Sequence, residues 1–289
     1  MLLTKNEKAK VKRIFRQKDF NRFAEISKDD NVTHVDPEFA ATTRFGRTLA
    51  HGMHLYSYIN RILSTQLPGP GMIQISQEFM FPSGIYVGDE AQFEVEVLNI
   101  DEKNNTAEFA TRCYSPRELA VDGTSQVILP SSEKIVFPGV REDIAKYDVS
   151  EGDRLANMTL GQEAKLVRTF TQQDLEDYAF FTGDQNPLYI DEDFAQKKGL
   201  KGCIVPGPML SSMFSMLLGT KLPGKGTNWL KQKIHFPNPA YIGEEITATI
   251  KIVRIRPDKK LVNYYDECVT RDGKIVCQAE SLVLALEMV

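Results

Sequence analysis

Apolar and polar positions along the chain form two patterns that recur in the same order. Ala91–Val97 alternates strictly (Ala-Gln-Phe-Glu-Val-Glu-Val), the period of a strand with one buried face. Ile73–Phe79, Ala107–Tyr114 and Glu118–Leu129 read as further strands, with matching runs at 246–255, 261–270 and 274–285. The stretches HGMHLYSYINRILSTQL from His51 and PGPMLSSMFSMLLGTKL from Pro206 are apolar on nearly every face, as in a helix surrounded by other structure. Each ends in a Leu-Pro-Gly turn, where Pro and Gly cannot continue it. Polar helices are predicted over Asp19–Ser27 and Asp174–Thr182, with Gln17 and Asp19 near the first start, and short helical turns at Phe39-Ala40 and Phe194-Ala195.

Sliding the sequence by 155 residues superposes Lys10–Leu129 on Lys165–Leu284 without a gap, and about a quarter of the aligned positions are identical. Asp19/Asp174, Asp29/Asp184, Asn31/Asn186, Phe39/Phe194, Gly52/Gly207, Phe81/Phe236 and Gly88/Gly243 are among the pairs. Helices followed by antiparallel strands make each copy an α+β unit. A helix apolar all round needs the sheet to curl about it. The expectation is a tandem hot-dog fold, two antiparallel sheets each wrapped around a long central helix. The boundaries are an N-terminal unit over 1–130, a linker and first strand region over 131–160, and a C-terminal unit over 161–289.

Composition narrows the class. Apolar content of 42% and charged content of 26% suit an ordered globular protein, and 289 residues give each half enough chain for a core. A net charge of −4 argues against nucleic acid as the main partner. The longest apolar stretch, Ile204–Leu218, is interrupted by Pro206, Gly207 and Pro208 and too short to span a bilayer. The N-terminus lacks the apolar segment of a signal peptide, and Cys113, Cys203, Cys268 and Cys277 form no CxxC pair. Reduced, buried thiols in a cytoplasmic protein with no membrane partner are expected.

Candidate chemistry concentrates in Ser27–Leu55, which holds three of the four histidines. Asp29, Asn31 and His34 bring a carboxylate, an amide and an imidazole onto one loop, where they can converge on a water or a substrate atom. Asp36 is near enough in sequence to orient His34. Short Asp- and Asn-rich loops also serve simply as helix caps. Recurrence of the loop at a fixed distance from the apolar helix, and the imidazole that a cap does not require, favour the functional reading. Gly52 allows close backbone approach, and the free N–H groups of the helix it begins suit a developing oxyanion. His51 is open between a lining and a structural role. His54 and His235, matched by Met209 and Met80, read as structural. No metal site is expected, because no ligand spacing supports one.

These residues carry a family likeness. The first unit resembles the MaoC-like (R)-specific enoyl-CoA hydratases and 3-hydroxyacyl dehydratases, whose loop runs approximately Ser/Thr-Gly-Asp-x-Asn-Pro-x-His-x-Asp, then Phe-Ala, then His-Gly-Met. Here these are Ser27, Asp29, Asn31, His34, Asp36, Phe39-Ala40 and His51-Gly52-Met53, with Lys28 and Val32 replacing the Gly and Pro. The second unit resembles the same family through TGDQNPLYID, but Tyr189 and Pro206 replace its two histidines. Asn60 falls where many relatives carry a Ser.

The resemblance implies one working site per chain, formed mainly by the first unit at the interface between the two. It would add water to a trans-2-enoyl-CoA to give an (R)-3-hydroxyacyl-CoA, or run the reverse. Asp29 and His34 would be catalytic, Gly52 would bind the thioester oxygen, and Asn31 and His51 would complete the substrate-binding set. No cofactor beyond the CoA of the substrate is implied, and the pseudo-dimeric chain is compatible with a homodimer. Lys28, Arg44 and Arg47 are candidates for CoA phosphates by charge and proximity to the loop alone, the ordinary reading of such side chains being a solvated surface. Met209, Met213, Phe214 and Met216 on the second long helix are open between shaping an acyl tunnel and plain core, the commoner role of such a stripe. A hot-dog acyl-CoA thioesterase and a non-catalytic acyl-CoA-binding protein are the alternatives.

Overall fold

The structure is a computed structural model, and it describes residues 3–131, 135–144 and 154–285. The first unit runs β1 (Lys8–Ile14), α1 (Gln17–Ser27), α2 (Val32–Val35), α3 (Pro37–Thr42), α4 (Gly52–Thr65), β2 (Ile73–Met80), β3 (Glu90–Asp101), β4 (Thr106–Tyr114) and β5 (Leu119–Ile128). After the short hairpin β6 (Arg154–Leu155) and β7 (Met158–Thr159), the order repeats. It runs β8 (Glu163–Thr169), α5 (Gln172–Thr182), α6 (Pro187–Ile190), α7 (Glu192–Lys197), α8 (Gly207–Thr220), β9 (Asn228–His235), β10 (Glu245–Arg256), β11 (Leu261–Thr270) and β12 (Ile275–Leu284).

Each unit is a hot-dog, with α4 or α8 lying in the curl of its own five strands. On α4, Met53, Leu55, Tyr58, Ile59, Ile62 and Leu63 are all buried, and α8 buries Met209, Leu210, Met213, Phe214, Leu217 and Leu218. Burial of a side chain of this size contributes about 1.5–3 kcal/mol, so the two helices anchor their units. All four cysteines are buried and free.

The two sheets are not separate. They join edge to edge into one ten-stranded sheet of order β1-β3-β4-β5-β2-β9-β12-β11-β10-β8. At the seam β2 and β9 pair antiparallel from Ser76↔His235 to Met80↔Lys231. Phe81 N–H donates to the Leu230 carbonyl and Phe236 N–H to that of Ile75, each at 3.0 Å, as two-fold pseudosymmetry requires.

Two features depart from the sequence reading. The edge strands β1 and β8 were not expected as strands. Their alternating positions are only exposed or partly buried (KAKVKRI and EAKLVRT), so the hydrophobic contrast that marks the inner strands is weak. The repeat also gains one residue late in the second unit. Thr106 corresponds to Leu261, but Leu119 corresponds to Ile275, because β11 has ten residues where β4 has nine, while the turns that follow them each span four. The 131–160 region lies partly outside the described residues; in its described part, Gly139 and Arg141 bond to Pro237 and Gln278 of the second unit.

Candidate active site

The site grows from the end of α1. Ser27 Oγ donates to the Phe23 carbonyl at 2.7 Å and accepts from Asp29 N–H at 3.2 Å, turning the chain out of the helix. Lys28 makes this turn at φ +66°, where its repeat partner is Gly183 at φ +74°. That region favours glycine, so the first unit keeps the turn at a steric cost. Asp29 Oδ1 accepts from Asn31 N–H at 3.3 Å, and Asn31 Oδ1 accepts from Thr33 N–H at 3.2 Å, capping the helix that carries His34.

Asp29 is 1% exposed. Burial pushes its carboxyl up to about 6, against the opposing pull of a hydrogen bond from Ser215 Oγ and one from Asn31 N–H. The Ser215 bond, 2.6 Å to Asp29 Oδ2, comes from α8 of the second unit. His34 lies partly exposed, with Nδ1 2.8 Å from the Leu49 carbonyl. A carbonyl only accepts, so the proton is assigned to Nδ1 and the lone pair to Nε2. Burial lowers the His34 pKa to about 4, so the ring is neutral near pH 7.

His34, Asn31 and Gly52 share a cavity of about 410 Å3 with Ser215, Leu218 and Gly219 of α8. Gly52 is the first residue of α4, and no side chain caps that helix, so its leading N–H groups stay free for a ligand. The ring of Phe81 stands 3.2 Å from where a Gly52 Cβ would lie, which leaves little room for a larger residue. Arg44 and Tyr86 also line the cavity, and Arg47 sits over the Tyr86 ring at 4.6 Å. Lys28 is exposed at the α1 turn and is not among the lining residues.

The equivalent place in the second unit is filled. Asp184 is buried and takes hydrogen bonds from Asn60 Nδ2 at 2.6 Å, Tyr178 OH at 3.1 Å and Ser64. Tyr189 stands where His34 does in the first unit and is also held by Asn60, at 3.2 Å. Tyr56 and Phe236 pack against Gly207, and the remaining void, lined by Phe137 and Tyr189, is about 30 Å3.

The structure thus places His34, Asn31 and Gly52 on one cavity, with Asp29 buried behind its lining residues Ser215 and Asn31, and decides three readings of the sequence. Asp36 does not orient His34; its carboxylate caps α3 through Glu38 and Phe39 N–H groups, and the Leu49 carbonyl takes over that role. His51 does not line the cavity. It is fully buried, packs on the His34 ring with centroids 3.9 Å apart, and its Nε2 is 3.0 Å from the Asp29 carbonyl oxygen, so it supports both groups from behind. Met209, Met213 and Phe214 are fully buried in the second core and Met216 lies outside the cavity wall, so no methionine stripe lines a tunnel.

His54 is buried and stacks on Phe23, and His235 bonds the Gly139 carbonyl; both are structural, as read. Ser215 was missed as a site residue. Its repeat partner is Asn60, whose departure from the usual Ser was the available clue. Among the described residues no group of three or more His, Cys, Asp or Glu side chains is placed to hold a metal ion, and no helix is long and apolar enough to cross a membrane.

A buried acid of raised pKa and a neutral imidazole, set beside the free N-terminus of a hot-dog helix, make a site for acid–base chemistry on a carbonyl compound. The chain matches the family described as MaoC like domain twice, over residues 3–115 and 156–270, and so belongs to that family in its tandem double hot-dog form. It is 34% identical over 127 residues to the (R)-specific enoyl-CoA hydratase of Aeromonas caviae, a match spanning 44% of this chain and 95% of that one. Over 124 residues it is 36% identical to the protein of the same name from Rhodospirillum rubrum, spanning 43% and 85%. A solved MaoC-like dehydratase superposes over 98% of both chains with a TM-score of 0.78 at 17% identity. A Mycobacterium tuberculosis protein with a double hotdog fold covers 98% of this chain and 96% of its own at a TM-score of 0.74 and 14% identity. The chain is an enzyme of the hydratase and dehydratase class.

Proposed function

We propose that the chain is a hydro-lyase that adds water across a trans-2-enoyl-CoA to give an (R)-3-hydroxyacyl-CoA, or runs the reverse dehydration. The observation that carries this reading is the placement of His34 on the cavity wall with the buried Asp29 carboxyl just behind it, held by Ser215 and Asn31, which both line the cavity. Near neutrality both Asp29 and His34 Nε2 can accept a proton. Between them they hold a water; its hydroxyl adds to C3, and the proton it releases passes to the pair and returns to C2. Nothing else is consumed, so water, thioester and these side chains suffice.

As the hydroxyl adds, negative charge builds on the thioester oxygen. The Gly52 N–H at the uncapped start of α4 answers that charge, and a donor of this kind is worth about 10²–10³ in rate. Asn31 and His51 act indirectly, Asn31 by capping the His34 helix and His51 by bracing Asp29 and His34. The second unit contributes Ser215 and cavity wall, and no chemistry of its own.

The test is direct. Crotonyl-CoA should lose its enoyl absorbance when the protein is added, with the (R) product found by chiral analysis and no free thiol released. Asp29→Asn and His34→Ala should each abolish the loss in folded protein; full activity in either variant overturns the assignment.

A further inference from the structure

Arg168 lies on β8 of the second unit, with a side chain only 9% exposed. Its guanidinium sits 4.3 Å over the Phe170 ring and 3.0 Å from Asp174 Oδ1. From there it reaches across the unit boundary. Nη1 donates to the Ser27 carbonyl and Nη2 to the Ile26 carbonyl, both at 2.9 Å. These are among the last carbonyls of α1, which have no partner within the helix and favour a cation. The next residue is Lys28 in its left-handed turn, and the one after is Asp29.

Pseudosymmetry makes the arrangement informative. Arg13 is the repeat partner of Arg168, but its guanidinium stays on its own unit, 2.9 Å from Asp19, with the side chain 40% exposed. Among the described residues it makes no hydrogen bond to the end of α5. There Gly183 occupies the turn without strain, and Arg61 packs beside it. The cross-unit clamp is therefore built only on the side that carries the intact acid–imidazole pair, and only where a non-glycine residue must be held at positive φ.

We propose that Arg168 is a positioning residue for the reaction, through which the catalytically silent unit fixes the end of α1 and hence the carboxylate of Asp29. The proposal rests on the hydro-lyase reading above. Ser215 holds Asp29 by its side chain, His51 by its carbonyl and Arg168 by the helix that delivers it. A planar guanidinium reaches two adjacent carbonyls at once, which an ammonium does not do with the same geometry. Without the clamp the two carbonyls lose their partner, the strained Lys28 turn relaxes, and Asp29 moves away from the water it must hold. A displacement on the order of 1 Å at a reacting group costs about 100-fold in rate.

The experiment compares Arg168→Gln, Arg168→Lys and, as a control on the other unit, Arg13→Lys, all in the full chain. With crotonyl-CoA, Arg168→Gln should lower kcat by about 10–100-fold with KM changed less than about twofold. Arg168→Lys should recover part of that loss, and Arg13→Lys should match wild type. Amide exchange should quicken over residues 27–31 in Arg168→Gln and stay unchanged along α4. Unaltered kcat in Arg168→Gln, or a loss that follows a general rise in exchange across both units, overturns the proposal. If the wild-type chain hydrates no enoyl thioester, the functional reading fails by itself and exchange alone decides the clamp: local quickening at 27–31 supports it, and unchanged exchange there overturns it.

Discussion

Ser215 of the second unit donates a 2.6 Å hydrogen bond to Asp29 of the first, and Asn60 of the first donates one of the same length to Asp184 of the second. Each loop carboxyl is therefore completed by the opposite unit's long helix. A serine hydroxyl offers one donor on a short stem and leaves space beside the acid. The larger amide of Asn60 spans Asp184 and Tyr189 and occupies that space.

Ser215→Ala should lower kcat/KM by about 10-fold or more, since it leaves a buried charged acceptor without its donor, a loss of about 1.5–3 kcal/mol. The Ser215 bond lowers the Asp29 pKa, so its removal should also move the acid limb of the pH–rate profile upward. A rate profile unchanged in both height and midpoint would disprove this role.

In the wild-type protein, kcat/KM should fall as pH drops through about 6, because protonated Asp29 no longer accepts a proton from water. His34, with a pKa near 4, remains neutral across that range and contributes no second step there. A profile flat from pH 8 to 5, measured with crotonyl-CoA, would remove Asp29 from the mechanism.

Asp29→Asn should inactivate the protein and stabilise it. The folded-state pKa of Asp29 is raised above its ordinary value of 3.8. The group's favourable contribution is therefore fully present below pH 4 and is lost as pH rises through about 6. At pH 7 the buried carboxylate costs on the order of 1–3 kcal/mol, which the neutral amide relieves, its oxygen accepting from Asn31 N–H and its NH2 donating to Ser215 Oγ. Thermal unfolding at pH 7 should show a higher midpoint for the variant, and the gap should close near pH 4. A lower midpoint at pH 7 would contradict the burial argument.

Gly219 sits in α8 under Asn31, and a Cβ there would stand 2.5 Å from Asn31 Nδ2 and 3.0 Å from its Cγ. Gly219→Ala should raise helix propensity yet cut activity by about 10-fold or more, because Asn31 must move and carry the His34 helix with it. Wild-type activity in a folded Gly219→Ala protein would show that the loop absorbs the push.

Restoring chemistry-type residues to the second unit by Asn60→Ser with Tyr189→His should create no second ligand site. Tyr56 against Gly207 and Phe137 in the residual void still fill the space. Titration with a 3-hydroxyacyl-CoA product should give one equivalent per chain before and after; two equivalents in the double variant would refute the occlusion.

Much of this was legible in the sequence, and the rest has identifiable reasons for being hidden. The alternation in β3 and the all-round apolarity of α4 and α8 gave the hot-dog units, because burial on one face or on every face leaves a periodic trace. Asp29, His34 and Gly52 stood out because the two copies can be compared. Ser215 and Arg168 did not, since both act across the unit boundary, and alignment of a repeat with itself pairs equivalent residues rather than touching ones. Asp36 was misplaced because closeness along the chain suggested that it met His34, whereas the cap of α3 claims it. His51, which its residue type left open and the resemblance put with the substrate-binding groups, lies behind His34. The tunnel failed because an apolar helix face is filled by its own sheet before it can line a ligand path.

The seam between β2 and β9 has a consequence for how such a molecule can change over generations. In an assembly of two identical chains, one substitution of the imidazole would strike both loops at once and leave no intact site. With both halves on a single chain and joined by one hydrogen-bonded seam, every molecule contains one copy of each half. Tyr189 in one half therefore leaves His34 in the other untouched, and the second half can serve as a brace without every molecule losing its imidazole.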